Sequence, residues 1–174
     1  MKNFFILNRT LKSLQKEPLV PTIETIYKTI LDSDKLVGYI NSPGGYLDSA
    51  WIISFLIGDI KNTIVFGGSQ IDSASLLVFS SFKKRIAFSD SLFTIHHGSF
   101  VEPRKKSLLE EDTRVWNFIS GKIKKISPED LNFLADKEKI LRAEEAREIG
   151  LVNKIISPYY KKFFADLKTG AYCY

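Results

Sequence analysis

The segment FGGSQIDSASLLVF, residues 66 to 79, crowds serines and an aspartate into the junction between two apolar runs. A serine where a strand gives way to a helix ordinarily caps that helix. The same position also suits a nucleophile, because the field of a helix start favours a developing alkoxide and the next residue's amide can donate to an oxyanion. Ser69, Ser73 and Ser75 are the candidates. Upstream, NSPGGYLDSAW sets two glycines where a strand turns into a helix, either as a plain tight turn or as unobstructed N–H groups for an anion or oxyanion. Downstream, the chain's two histidines, His96 and His97, stand side by side at the end of LFTI. A strand alternates its faces, so one ring should point into the fold or its cleft and the other away. They form either a strand-end pair at the surface or include a general base, imidazole having the unperturbed pKa nearest neutrality. On successive strand ends, the three segments would bring nucleophile, oxyanion donors and base to one side of one sheet.

Other chemistries lack their residues. Neither a GxxxxGK(S/T) loop nor GxGxxG occurs, so no phosphate-binding loop is expected. Adjacent histidines without HExxH or cysteine partners do not build a zinc site, and neither a metal nor a cofactor is expected.

The elements that must position these residues alternate. FFILNRTL reads as a first strand, and from Pro21 the positions Ile23, Ile26, Tyr27, Ile30 and Leu31 form the stripe of an amphipathic helix whose polar face carries Glu24, Lys28 and Asp32. KLVGYIN, the SPGG turn and an apolar stretch from Leu47 to Ile57 read as strand, tight turn and buried helix. NTIVFGG is a second buried strand, followed by a helix from about Ser73 through SLLVFSSF. KRIAFSDS and LFTIHH supply two more strands. A long helix should run from Lys105 to about Lys125, SPED at 127 to 130 caps another, AEEAREIG forms the last and stops at Gly150, and LVNKIIS returns to strand. Such alternation predicts an α/β domain with a parallel sheet and its site at the carboxyl ends of the strands.

Composition bounds the class. At 174 residues and 44% hydrophobic, the chain suits one domain with one core. Its formal charge of +5 comes from 25 basic and 20 acidic residues mixed along the chain, a solvated surface and not a nucleic-acid footprint. Cys173 is the one cysteine, which excludes an intramolecular disulfide and fits a reducing compartment. The N-terminus has only a four-residue apolar run, too short for a signal-peptide core, and WIISFLIG falls far short of the roughly 20 residues of a membrane span. A cytoplasmic, soluble protein without membrane association is expected. In the tail, Tyr159, Tyr160, Phe163, Phe164 and Leu167 could form one helical stripe that packs on the chain's own core or a neighbouring subunit.

YINSPGG, a serine at a strand-to-helix junction, FTIHH and ILRAEEAREIGLVNKI together resemble the proteolytic subunit of the Clp protease, over roughly residues 18 to 157. INSPGG and the AEEA...GLV pattern are specific to that family and its phage-type relatives within the crotonase-like superfamily. The resemblance implies a Clp protease/crotonase-like fold of stacked ββα units with a projecting helix, a single domain over 1–174 with divergent segments at 1–17 and 158–174, and endopeptidase activity on peptides or unfolded proteins inside an oligomeric ring. By position, it makes Ser73 the nucleophile, His96 the base, Glu138 the triad acid with Asp136 as fallback, and the Gly45 and Ala74 amides the oxyanion hole. It also implies a homo-oligomeric ring, hexamer or heptamer, and an ATPase unfoldase as partner.

Three departures qualify these expectations. Asp72 stands beside the nucleophile where the family has a small residue, and a carboxylate facing the alkoxide would oppose its formation, so a catalytically inactive subunit with a structural or adaptor-binding role is the alternative. The interval from His96 to Glu138 is shorter than the family's by about two helical turns, on the order of 10 Å, which favours a different oligomer or a single ring. Little precedes FFILNRTL to supply the axial segment that engages an ATPase. A crotonase-type acyl-CoA enzyme would share the fold but give Ser73 and His96 no reason to stand at these spacings.

Overall fold

The structure, a computed structural model, describes residues 4–7, 11, 35–98 and 105–160. In chain order these form β1 (Phe4–Leu7), β2 (Lys35–Ser42), α1 (Leu47–Gly58), β3 (Asn62–Asp72), α2 (Ala74–Ser80), β4 (Lys84–Phe88), β5 (Leu92–Thr94), α3 (Lys105–Ile123), α4 (Pro128–Asp136), β6 (Ile140–Arg142), α5 (Ala143–Glu148), β7 (Lys154–Ile156) and a 3-10 turn at Pro158–Tyr160. Strands β1, β2, β3, β4 and β7 lie side by side in that order, all parallel. Strand β5 pairs in parallel with the far end of β3, and β6 runs antiparallel beside β5. A mixed α/β architecture on a parallel sheet is what the alternation predicts, with one antiparallel pair added.

Strand β3 decides where the site lies. It reads NTIVFGGSQID and makes two partnerships in turn, with β4 at Ile64–Gly67 and with β5 at Gln70–Asp72. Between them the register with β2 jumps from Ile40↔Gly67 to Ser42↔Ile71, so extra residues bulge out of β3 at the glycine pair and the strand bends. A side chain would crowd the bend. A Cβ on Gly68 would sit 2.6 Å from the Asn41 side chain, and one on Gly67 would press on Ile71 and Phe79 at 3.0 and 3.1 Å. The buried Ser91 hydroxyl donates to the Gly67 and Gly68 carbonyls and fixes the bend from behind.

The helices follow their sequence signals. All seven residues of α2 are buried, which accounts for the unbroken apolar run from Leu76 to Phe79. Ser127 caps α4 by accepting from the Asp130 amide, with Pro128 in the first turn. Gly150 ends α5 at φ 86°, a left-handed position suited to glycine. One cluster of buried side chains runs through the molecule from Leu7 of β1 to Val152 after α5. Arg85 of β4 is buried within it with no carboxylate partner among the described residues; its guanidinium instead donates to the Phe82, Gly150 and Leu151 carbonyls at 2.6, 3.2 and 2.8 Å and ties the end of α5 to the end of α2. Burial lowers its pKa, and the three carbonyl dipoles compensate the buried charge.

Several boundaries differ from the sequence reading. The glycines do not end β3, so Ser69 stands in a strand and not in a turn. Strand β5 stops at Thr94 and leaves both histidines just beyond it. Strand β6 is three residues long, too short to show a period of two, and the sequence reading lacked it. The helix expected from Pro21 to Asp32 and the tail after residue 160 lie outside the described residues. Tyr159, the first aromatic of the expected tail stripe, is 91% exposed. No described helix is long and apolar enough to cross a membrane.

Candidate active site

The carboxyl ends of β2, β3 and β5 deliver the three segments singled out in the sequence to one place. Ser73 follows β3 directly, with φ 55° and ψ −130°, a backbone conformation that a residue with a Cβ rarely adopts. Holding it costs on the order of 1–3 kcal/mol, and such strain persists only where surrounding structure enforces it. Here the Ser73 amide donates to the Thr94 carbonyl of β5 at 3.1 Å. Ser73 occupies the N-cap position of α2, yet its side chain makes no capping bond, so the half-buried hydroxyl is left for chemistry.

The other two serines are distinguished by their surroundings. Ser75 is fully buried, and its hydroxyl donates to the Asp72 carbonyl at 2.7 Å and the Ser42 carbonyl at 3.1 Å, binding the elbow of β3 to the end of β2. Ser69 points out of β3 ahead of the elbow.

The glycine turn after β2 lies against this elbow. Gly44 has φ 90°, and a Cβ there would fall 2.6 Å from the Asp72 carbonyl oxygen and 2.7 Å from the Ser73 Cβ. Its amide donates to the buried Ser42 hydroxyl at 3.1 Å. Gly45 forms a parallel bridge with Leu11, in which the Leu11 amide donates to the Gly44 carbonyl at 2.6 Å and the Tyr46 amide to the Leu11 carbonyl at 3.0 Å. In that pattern the bridging residue's own N–H points away from its partner strand. The Gly45 amide has no acceptor among the described residues. The Ala74 amide, first in α2, likewise has no intrahelical acceptor.

Asp72, the residue that raised the alternative of an inactive subunit, turns sideways. Its carboxylate accepts from the Thr94 amide at 3.1 Å and from the Gln70 side-chain amide at 2.5 Å, and the residue is 9% exposed. Both partners lie across or back along the β3–β5 pair, not forward toward the Ser73 hydroxyl.

Both histidines are half-buried, with opposite partners. Nδ1 of His96 lies 2.6 Å from the His97 carbonyl, and because a carbonyl only accepts, Nδ1 is the protonated nitrogen, so in the neutral ring the lone pair is on Nε2. His97 is held at both nitrogens, with Nδ1 2.8 Å from Asp112 of α3 and Nε2 2.8 Å from Asp136 at the end of α4. Partial burial pulls the His97 pKa down, but the hydrogen bonds and charges of Asp136 and Asp112 outweigh it and leave it above the ordinary imidazole value.

Glu138 follows the end of α4 with φ 47° and an exposed side chain. Strand β6 pairs Leu92↔Arg142 and Thr94↔Ile140, and the Ile95 amide donates to the Lys139 carbonyl at 2.9 Å, so the antiparallel register continues past the strand. Glu138 and His96 each directly adjoin a residue of that last bond. The backbone thus brings Ser73, His96 and Glu138 to one end of the β3, β5 and β6 pairings. Among the described residues no hydrogen bond joins the His96 ring to the Ser73 hydroxyl or to the Glu138 carboxylate. Asp136, the fallback acid, is bound to His97 instead. Sequence reasoning missed Asp112, one acid of the run EED in α3 with no local mark to separate it from its neighbours.

The sequence model of the Clp protease family matches residues 25–159, more than three quarters of the chain. The chain belongs to the Clp protease family. Among its relatives, the ATP-dependent Clp protease proteolytic subunit 1 of Thermobifida fusca is 32% identical over 145 residues, covering 75% of this chain and 64% of that protein. The proteolytic subunit 2 of Pseudomonas aeruginosa is 27% identical over 140 residues, covering 72% and 68%. The matches thus span about two thirds of these relatives' length. Among solved structures, ClpP1 from Listeria monocytogenes superposes with a TM-score of 0.77 at 22% identity, covering 90% of this chain and 92% of its own. The ClpP protease catalytic domain from Plasmodium falciparum gives 0.75 at 19% identity, covering 91% and 90%. The fold is therefore that of Clp proteolytic subunits, as the INSPGG and AEEA...GLV segments imply.

Proposed function

We propose that the chain is a serine endopeptidase subunit in which Ser73 is the nucleophile. Its hydroxyl passes its proton to Nε2 of His96 as Oγ bonds to the substrate's peptide carbonyl carbon. The displaced electron pair moves onto the carbonyl oxygen, where the Gly45 and Ala74 amides receive it. Collapse expels the amine, which takes the proton from Nε2, and water then hydrolyses the ester by the same route in reverse. Glu138 balances the charge of the imidazolium from across the strand pair. The observation that carries this reading is Ser73 itself: a strained, uncapped serine at a strand-to-helix elbow, beneath a glycine turn that no side chain could share.

The substrate class is peptides or unfolded proteins, taken in a homo-oligomeric ring with an ATPase unfoldase as the fitting partner; the relatives' names, ATP-dependent protease and proteolytic subunit, support the peptidase class, the subunit role and the ATPase. Ser73→Ala and His96→Ala should each lower peptide cleavage by at least about a thousandfold, the scale on which a triad member acts, without changing oligomer size. Undiminished cleavage by either variant rejects the scheme.

One observation favours the second reading, a non-catalytic subunit: within the single chain, His96 bonds to neither Ser73 nor Glu138. That reading expects cleavage only after an active relative is added to form a mixed ring. Turnover by the purified homo-oligomer eliminates it.

A further inference from the structure

Resting on the assignment of His96 as the base, we infer that His97 is its positioning residue: held between Asp112 and Asp136, it fixes the carbonyl that takes the Nδ1 proton of His96. That leaves Nε2 as the nitrogen facing the chemistry.

The geometry requires His97 to be doubly protonated. Each ring nitrogen lies 2.8 Å from a carboxylate oxygen, and an ionised carboxylate only accepts, so both nitrogens must donate. A neutral ring could satisfy one carboxylate only and would turn a lone pair on the other. The bridge joins three separate elements: the segment after β5, helix α3 through Asp112 and the end of α4 through Asp136. Asp112 is 7% exposed, and its second oxygen accepts from the Gly98 amide at 3.2 Å, so one carboxylate grips both the His97 ring and the next peptide. The edge of Trp116 lies against the ring, with centroids 6.5 Å apart. With its side chain and the following amide both anchored, the His97 carbonyl has little freedom, and it stands 2.6 Å from Nδ1 of His96.

This carbonyl does part of what the carboxylate of a triad does. It selects the tautomer and aims the ring. Being neutral, it adds less to the imidazolium's stability, which leaves a role for Glu138 in charge and not in orientation. Among the described residues, the charged groups facing His97 are Asp112 from α3 and Asp136 from α4. Its raised pKa places the loss of the bridge on the alkaline side of the ordinary imidazole value: the bridge is complete below that value and is lost as pH rises through the folded one.

The chain's only histidines are these two, so 15N-imidazole NMR of the full-length oligomer gives two ring signals, assigned with His97→Gln. In the wild type, His96 should be the Nδ1–H tautomer and His97 the imidazolium. Asp112→Asn and His97→Ala should turn His96 into a tautomer mixture and slow labelling of Ser73 by a fluorophosphonate about 10- to 100-fold, with oligomer size and circular dichroism unchanged. His97→Gln, whose amide still donates but does not titrate, should recover most of the rate and abolish its alkaline decline. An Nε2–H tautomer in the wild type, or an unaltered Nδ1–H signal together with unaltered labelling in His97→Ala, overturns the inference. The NMR decides it even if Ser73 is never labelled, an outcome that would instead defeat the peptidase reading.

Discussion

The two halves of the site are held in place by different forces. On the nucleophile side almost everything is backbone and close contact: Ser73 is fixed by a backbone hydrogen bond to β5, Gly44 lies within van der Waals range of the elbow, and the buried hydroxyls of Ser42 and Ser75 tie turn to elbow. Even Asp72 is used as a backbone partner, accepting from the Thr94 amide. On the base side the fixing groups are charges at partly exposed positions, with His97 side chain 31% exposed and Asp136 58%. The first half should therefore be sensitive to shape and indifferent to pH. The second should tolerate small changes of shape and respond to protons.

The harshest test of that contrast is Gly44→Ala. One methyl would have to enter at 2.6–2.7 Å from the elbow on a residue already at φ 90°. It should cost about 2–4 kcal/mol in a denaturant midpoint, in the range of overpacking plus backbone strain, and abolish labelling of Ser73 at every pH. An alanine variant of near wild-type stability would show that the turn does not brace the elbow.

A medium effect belongs to the base side. Labelling should decline as pH rises through the raised His97 pKa, because the bridge to Asp112 and Asp136 then loses its second donor. Shape-based tests on the other half should show no such limb. A flat alkaline profile in the wild type would erase the difference between the halves.

The smallest effect is expected at Asp72. Asp72→Asn keeps an oxygen for the Thr94 amide, and Gln70 can turn its own amide to match, so the labelling rate should stay within about threefold. A large gain in rate would mean that the carboxylate opposes the alkoxide after all, and would restore the case for a silenced subunit.

Much of this arrangement is legible in the sequence, and the limits are physical. The order of strands and helices follows from period and punctuation, because Leu47–Gly58, Ala74–Ser80 and Pro128–Asp136 each carry a clear apolar pattern or cap. Ser73 is separated from Ser69 and Ser75 only by its place relative to the helix start and by the resemblance, while the structure adds the reason: one is strained and uncapped, another buried and doubly bonded. The bend of β3 escapes a reading by period, since glycines that mark a turn and glycines that mark a bulge look alike. The His97 bridge escapes it altogether. Asp112 and Asp136 lie 15 and 39 residues away along the chain, and nothing local marks either as a partner.

The proposed mechanism stands or falls with Ser73 as its nucleophile. Treating the purified oligomer with a fluorophosphonate or β-lactone probe and mapping the modified peptide by mass spectrometry tests it most directly. A single adduct on Ser73, lost in His96→Ala, is the expected result. An adduct on Ser69 or Ser75, or none on a folded oligomer, would contradict it.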